Sequence, residues 1–439
     1  MPSYPEITRS NELWQRARQV MPRTGNLLAK APGQWSDGVA PKFLERGLGA
    51  HVWDVDGNEY IDLAMSVGPV SLGYCYPAVD EAIRSQLGRG INFSLMSPLE
   101  VEVSELLREA VPGAERVRFG KSGADATSAA VRLARAATGR DTILCCGYHG
   151  WHDWYVGTTD RHRGVTAAAR AETYTFAYND LGSVEQAMHG DVAAVILEPT
   201  VFDPPAPGFL EGLRSLCDRH GCVLIFDEMW TGFRLALGGA QEKFGVRADL
   251  VCFSKAIANG MPLSVLCGHR DLIDQTERDV FVFTTFAGEA LSLAAAKATL
   301  ETMMFEPVFE RLYRTGKALS DGYNRIARAS GATFTSCYGF APRTLLRFEQ
   351  RNDVSALEMK TFVQQEMLAR GVLWGGHHTV SYAHTVGDVE RVLLAYGEVL
   401  PKLVSLVGEG NVRRHLKGEV LEAVFRRSEA FNTRPRARE

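Results

Sequence analysis

Two charged residues stand where this chain could do chemistry. An aspartate, Asp227, closes the apolar run Val223-Leu224-Ile225-Phe226, and a lysine, Lys255, follows Asp249-Leu250-Val251-Cys252-Phe253-Ser254. Continuous apolar runs of this length suit the central strands of a parallel sheet. A charge does not belong inside such a strand. It is tolerable at the carboxyl end, where α/β folds place their ligands. The pattern predicts that Asp227 and Lys255 project into one crevice from neighbouring strand ends. A structural ion pair would use the same two residues.

A partly desolvated lysine can form a Schiff base with an aldehyde. Pyridoxal phosphate needs such a lysine, and a carboxylate to keep its ring nitrogen protonated so that the ring serves as an electron sink. Other stretches bear on this chemistry. Val117–Gly120 reads as a short strand, followed by Lys121-Ser122-Gly123-Ala124-Asp125-Ala126 and an alanine-rich helix from Thr127 to Ala137. Ser122 and Asp125 stand at capping-box spacing. The free N–H groups of such a helix start suit a phosphate, although a plain capped helix reads the same way. Gly120-Lys121-Ser122 is not the end of a nucleotide P-loop, because position 115 is Glu115 rather than glycine. No GxGxxG follows a strand, which disfavours a dinucleotide dehydrogenase.

The strand Thr142–Cys146 runs into Gly147-Tyr148-His149-Gly150-Trp151-His152-Asp153-Trp154-Tyr155, whose rings could stack on a planar cofactor. His149 and His152 have no third ligand near them, so no metal centre is expected. The strand Val192–Leu197 ends on Glu198. Phe281–Ala290 is read as opening a helix through Met303, with the hydroxyls of Thr284 and Thr285 ahead of its start, a second place for phosphate.

The elements that must position these groups alternate strand and helix, which argues for a mostly parallel α/β sheet. Asn11–Met21 has helical spacing, and Pro77–Leu87, Pro98–Ala110 and Leu210–His220 read as helices. His51–Asp62 alternates around Asp-Gly-Asn, a hairpin signal, and lacks the glutamate a calcium loop would need. Ser264–Gly268 is one more strand. After about Phe305 the texture changes to that of a smaller α+β domain. The tail Asn432–Glu439 is polar and basic and is expected to fray.

The 439 residues suggest more than one domain, and 46% hydrophobic with 23% charged residues is ordinary globular composition. A net charge of −4 argues against a broad nucleic-acid surface. No run is long enough for a transmembrane helix, and the first ten residues have no signal-peptide core. The eight cysteines form no CxxC pair and read as buried reduced thiols of a cytoplasmic protein.

Taken in order from about Phe43 to Leu400, the stretches WDVDGNEYID, SGADA, VRLARAATGR, GYHG, ILEP, FDE, TGFR, GGAQEKFGV, DLVCFSK, NGMP and TTFAGEAL resemble the class III pyridoxal-phosphate aminotransferases, especially the branch near glutamate-1-semialdehyde aminomutase. The resemblance implies an aspartate-aminotransferase-like fold of type I. Residues 1–75 would form an arm and part of a small domain, 76–305 the large cofactor-binding domain, and 306–439 the rest of the small domain. Lys255 would hold the cofactor, Asp227 its ring nitrogen, and Tyr148 would stack on the ring. Ser122, Gly123 and Ala124 would bind the phosphate. His149, Glu198 and Met229 would lie close by. Thr285 would reach the phosphate of a partner subunit, giving a homodimer with shared sites.

Three departures stand out. The family's Ser-Gly-Thr-Glu-Ala is Ser122-Gly123-Ala124-Asp125-Ala126 here, which loses a phosphate hydroxyl. The aminomutase's Ser-Trp-Gly-Pro is Ser66-Val67-Gly68-Pro69, and its substrate-side glutamate falls near Gly376.

The function expected first is ping-pong transfer of an amino group from a small-molecule donor to a carbonyl acceptor, with Lys255 as general base. An intramolecular aminomutase or epimerase would need no external donor. A non-catalytic ligand-binding protein on the same fold is a third reading. The segment Gly371–Glu390, expected over the substrate, has no arginine and carries Trp374, His377, His378, Tyr382 and His384 instead. Arginine is the natural clamp for a carboxylate. Its absence points to a sugar-like or cyclic keto acceptor, unless Arg234 or another distant arginine does the clamping.

Overall fold

The computed structural model describes residues 3–22 and 25–422, so the tail Asn432–Glu439 lies outside the described residues. The chain divides into two compact units. One takes the described residues up to Tyr76 and from Glu310 onward, and the other takes Pro77–Phe309.

The first unit begins with helix α1 (Thr8–Val20). It starts three residues before the apolar pattern does. The Asp56 carboxylate accepts the N–H groups of Arg9 and Ser10, at 2.6 and 2.9 Å, and so caps the helix from a distant loop. Strands β1 (Leu44–Leu48), β2 (His51–Asp54) and β3 (Glu59–Asp62) follow. The hairpin pairs His51 with Ile61 and Trp53 with Glu59. Its turn is organised by Asp54, whose Oδ1 accepts the N–H groups of Asp56 and Asn58. The short strand Val372–Leu373 adds parallel to β3. A separate antiparallel sheet takes Thr335–Phe340, Arg343–Phe348 and His377–Thr379.

The second unit contains helices α2 (Pro77–Leu87), α3 (Pro98–Ala110) and α4 (Gly123–Thr138) and a seven-stranded sheet. The strands are β4 (Arg116–Gly120), β5 (Thr142–Cys146), β6 (Thr173–Thr175), β7 (Val192–Leu197), β8 (Val223–Asp227), β9 (Leu250–Phe253) and β10 (Ser264–Gly268). Their order is β4-β10-β9-β8-β7-β5-β6, and only β10 runs against its neighbours. Every residue of β5, β7, β8, β9 and β10 is buried, which is why these runs are apolar without alternation.

Helix α4 lies on this sheet through small side chains. Ala126, Ala129, Ala130 and Ala134 share a buried cluster with Ile143, Ala194, Ile196, Ile225 and Leu266. Burying an isoleucine or leucine there contributes about 1.5–3 kcal/mol each. The alanines let the helix approach closely enough for its first turn to reach the strand ends.

The helix expected to open within Phe281–Ala290 runs instead over Ala290–Phe305. Its start is set by Glu289, whose carboxylate accepts the N–H groups of Leu291 and Ser292. Thr284 and Thr285 therefore do not stand at a helix N-terminus, and that terminus already holds a carboxylate. Seven cysteines are buried, Cys75 is exposed, and all eight are free thiols. Among the described residues no helix is long and apolar enough to cross a membrane.

Candidate active site

Strands β8 and β9 are parallel neighbours, with Asp227 opposite Cys252. Asp227 is the last residue of β8, and Lys255 comes two residues after β9. Lys255 is half-buried and has a left-handed backbone, with φ of +49°. Non-glycine residues adopt that region at a cost, and such strain gathers at functional positions.

Asp227 is buried. Its Oδ1 accepts the Met229 N–H at 3.0 Å, and its Oδ2 lies 2.8 Å from His149 Nδ1. His149 is buried as well, between Trp154, stacked at 6.0 Å, and Tyr155, edge-on at 5.3 Å. Its Nε2 has no hydrogen-bond partner among the described residues. Helix α4 fixes this loop. The Thr127 hydroxyl donates to the His149 carbonyl at 2.9 Å, and the Ser128 hydroxyl meets His152 Nδ1 at 2.7 Å and accepts the Trp154 indole N–H at 2.9 Å.

Glu198 follows β7. Its Oε1 accepts the Tyr148 N–H at 2.7 Å. Gly147, with φ of +109°, makes this possible, because a Cβ there would stand 2.8 Å from Glu198 Oε1. Burial raises the Glu198 carboxyl above its ordinary range and the Asp227 charge adds to this, while the Tyr148 N–H, His149 and Lys255 oppose it. Tyr148 is half-exposed, and its ring stands edge-on to Tyr155 at 5.7 Å. Burial, then the charges of Asp227 and Glu198, push its phenol up.

The first turn of α4 closes the cluster. Ser122 is its N-cap, with a full capping box. The Ser122 hydroxyl accepts the Asp125 N–H, and the Asp125 carboxylate accepts the Ser122 N–H at 2.7 Å. The N–H groups of Gly123 and Ala124 belong to the first turn and have no carbonyl four residues back. A Cβ on Gly123 would lie 2.7 Å from Met229 Sδ, and one on Gly150 would lie 2.6 Å from the Ala124 methyl. Glycine at these two places brings the helix start, the Asp227–Met229 turn and the aromatic loop together.

Nine of the ten site residues named from the sequence thus lie on these adjoining strand ends and the helix start that meets them. Thr285 is the exception: it is exposed, in an irregular turn, and among the described residues no hydrogen bond ties it to the cluster.

Sequence reasoning missed two features. Thr127 and Ser128, polar residues inside an alanine run, were the available sign that α4 holds the aromatic loop. Glu228, beside Asp227, is fully buried. It accepts hydrogen bonds from the Thr231 hydroxyl and the N–H groups of Ala240 and Gln241, and burial pushes its carboxyl up to about 7.

The substrate shell expected in Gly371–Glu390 is not formed as expected. Trp374, His378 and His384 are core residues. His378 bonds Thr344 and the Tyr396 hydroxyl at 3.0 and 2.8 Å, and His384 bonds Ser381. Arg234 is 1% exposed, which leaves it no open surface to offer a ligand.

Residues 34–380 match the family model of the class III aminotransferases. The chain belongs to that family. Among curated class III relatives, it is 40% identical over 351 residues to a glutamate-1-semialdehyde 2,1-aminomutase of Roseiflexus castenholzii, covering 75% of this chain and 80% of the other. It is 36% identical to the enzyme of the same name from Syntrophobacter fumaroxidans, covering 91% and 98%.

Three solved structures are similar. The pyridoxal-phosphate internal aldimine form of the FumI protein of Sphingopyxis sp. MTA144 superposes with a TM-score of 0.85 at 32% identity, over 91% of this chain and 98% of that one. An omega-transaminase from Sphaerobacter thermophilus gives 0.82 at 26%, again over 91% and 98%. A glutamate-1-semialdehyde aminomutase from Pseudomonas aeruginosa gives 0.77 at 27%, over 90% and 95%. The fold is that of the type I pyridoxal-phosphate enzymes, and pyridoxal phosphate is the cofactor of this class III chain. The residues present fit it. A buried carboxylate braced by an imidazole suits the ring nitrogen, a helix start with unbonded N–H groups suits the phosphate, and a half-buried lysine stands at the next strand end.

Proposed function

We propose that this enzyme transfers an amino group from a small-molecule amino donor to a carbonyl acceptor, one partner leaving before the other enters. The observation that carries the reading is the Asp227–His149 contact at the end of β8 with Lys255 at the end of the adjoining β9. Bound pyridoxal phosphate supplies an aldehyde that takes up the amine and a ring that withdraws electrons from the substrate carbon. Asp227 would hold the proton of the ring nitrogen. His149 Nδ1 donates to Asp227 Oδ2 and keeps that carboxylate oriented. The N–H groups of Gly123 and Ala124 would bind the phosphate, and the Tyr148 ring would cover one face. Lys255 Nζ would take a proton from the donor carbon and deliver it two bonds away, across the nitrogen, to the carbon that the cofactor aldehyde supplies.

By their names, the curated relatives favour the intramolecular form, an aminomutase, over transfer between two molecules. Residues of this chain speak the other way. Val67 stands where the aminomutase has tryptophan, and Gly376 stands near its substrate-side glutamate. The test is spectroscopic. An aminotransferase converts its cofactor to the aminated form with a single amine and releases a keto product. An aminomutase isomerises glutamate-1-semialdehyde with no added donor, and that result would replace the first reading with the second.

The assembly we infer is a homodimer. Leu95, Met96, Phe281, Phe283 and Phe286 are exposed by 57–85%. The segments carrying them are tied together where the Ala290 N–H meets the Ile91 carbonyl. So much apolar surface on adjoining segments suits burial against a second copy. Thr285 lies within it, so its hydroxyl would serve the partner's phosphate rather than its own.

A further inference from the structure

In the first unit the Lys360 side chain fills the space beside Gly376, and His377 and Arg343 lie near it on one strand pair. In the strand pair Arg343–Phe348 and His377–Thr379, Leu345 stands opposite His377 and Arg343 opposite Thr379. Side chains alternate along each strand, so Arg343 and His377 share one face while Thr344 and His378 share the other. The second face is core, with Thr344 and His378 buried. The first is partly open, and both Arg343 and His377 are half-buried.

Lys360, on the helix Ala356–Leu368, reaches the same place. A Cβ built on Gly376 would stand 2.6 Å from Lys360 Cε and 2.9 Å from its Nζ. Gly376 also has φ of +103°. Any side chain there would therefore be strained and would displace the lysine.

Two of these basic groups lack a counter-charge among the described residues. Among the described residues Lys360 makes no hydrogen bond or ion pair, and the His377 ring makes no hydrogen bond. The acids on the same helix are engaged elsewhere, Glu358 with Ser355 and Glu366 with Tyr4 and Arg370. Burial, together with the positive charges of Arg343 and Lys360, pushes the His377 imidazole well below its usual range. Burial also lowers Lys360, and no acid compensates. Trp35 and His377 flank Gly375, which gives the place one apolar wall.

The geometry points to a seat for the carboxylate of a small organic ligand, made by Lys360, Arg343 and His377 around Gly376. Lysine and arginine donate charge-assisted hydrogen bonds to a carboxylate. A half-buried position beside a tryptophan suits a carboxylate carried on a carbon skeleton better than a free, strongly hydrated phosphate. Two of the three groups come from outside Gly371–Glu390, which is why the lack of arginine in that segment does not exclude an acidic ligand. None of the three belongs to the cofactor cluster; because Gly376 stands near the aminomutase's substrate-side glutamate, the seat rests on the substrate side of the proposed function, and a binding measurement tests it apart from amino transfer.

Calorimetric titration of the holoenzyme with glutarate, its neutral diamide glutaramide and inorganic phosphate provides the test. Lys360→Met keeps the apolar stem and removes the charge. Glutarate is expected to bind wild type, and at least tenfold more weakly to Lys360→Met and to Arg343→Gln, with the cofactor absorption of both variants unchanged. Glutaramide is expected to bind at least tenfold more weakly than glutarate. Equal glutarate affinity in wild type and Lys360→Met overturns the seat, as does failure of glutarate to bind wild type. Phosphate binding tighter than glutarate, with the same dependence on Lys360, overturns its assignment to a carboxylate.

Discussion

His149 Nδ1 and Asp227 Oδ2 lie 2.8 Å apart, and both side chains are closed to solvent. A buried carboxylate that loses its donor keeps an unsatisfied oxygen and loses its orientation. His149→Phe keeps a ring in the slot beside Trp154 and removes that donor. We expect it to lower the single-turnover rate with an amine by about 10–100-fold, as for a hydrogen bond to a charged group worth about 1.5–3 kcal/mol. The pH dependence of cofactor absorption should shift too. A variant with the wild-type pH profile would reduce His149 to a packing residue.

Lys255→Ala should bind the cofactor without covalent attachment and lose amino transfer, while Asp227→Asn should fold and lose most of its rate. The readouts are borohydride trapping with mass analysis for the first and single-turnover kinetics for the second. A reducible adduct in Lys255→Ala would place the covalent lysine elsewhere, and an unimpaired Asp227→Asn would mean that the carboxylate does not hold the ring.

Glu228 makes stability depend on pH. Its folded carboxyl is raised to about 7 from an ordinary value of 4.5. Between these two values the folded state binds more protons than the unfolded chain, so stability falls as pH rises. The contribution is fully present below about 4.5 and is lost on passing 7, an effect on the order of 3 kcal/mol. Urea unfolding across this window should show a steeper decline for wild type than for Glu228→Gln. Parallel curves would show that Glu228 does not set the slope.

The shared site can be tested by complementation. Lys255→Ala is mixed with a Thr284/Thr285 double alanine after dissociation and reassociation. In a mixed dimer one site gathers both defects and the other carries neither, so part of the activity should return. Mixed dimers verified by mass but inactive would rule out sharing through this segment.

Much of the site was legible because its signals are local. A charge at the end of a fully apolar run can only be a strand end, and Ser122 with Asp125 marked the start of α4. What the sequence concealed depends on distant partners. Asp56 caps α1 from 47 residues away, so no local pattern could find that start. Glu289 holds the N–H groups of Leu291 and Ser292 and delays the helix that Thr284 and Thr285 were expected to begin. Trp374, His378 and His384 look like a ligand shell in one dimension. They are core because Thr344 and Tyr396, on other elements, hold both ring nitrogens of His378, and Ser381 holds His384 through its Nδ1. Lys360 gave no sign of its place, since its meeting with Gly376 joins a helix to a strand end.

Lys255 occupies a backbone conformation that glycine and asparagine adopt more readily. With Lys255 in its proposed role, selection for durability and selection for turnover pull this position in opposite directions. A library of variants sorted only for heat resistance should drift toward glycine or asparagine at 255. Its hardiest members would then be inert proteins with an intact fold.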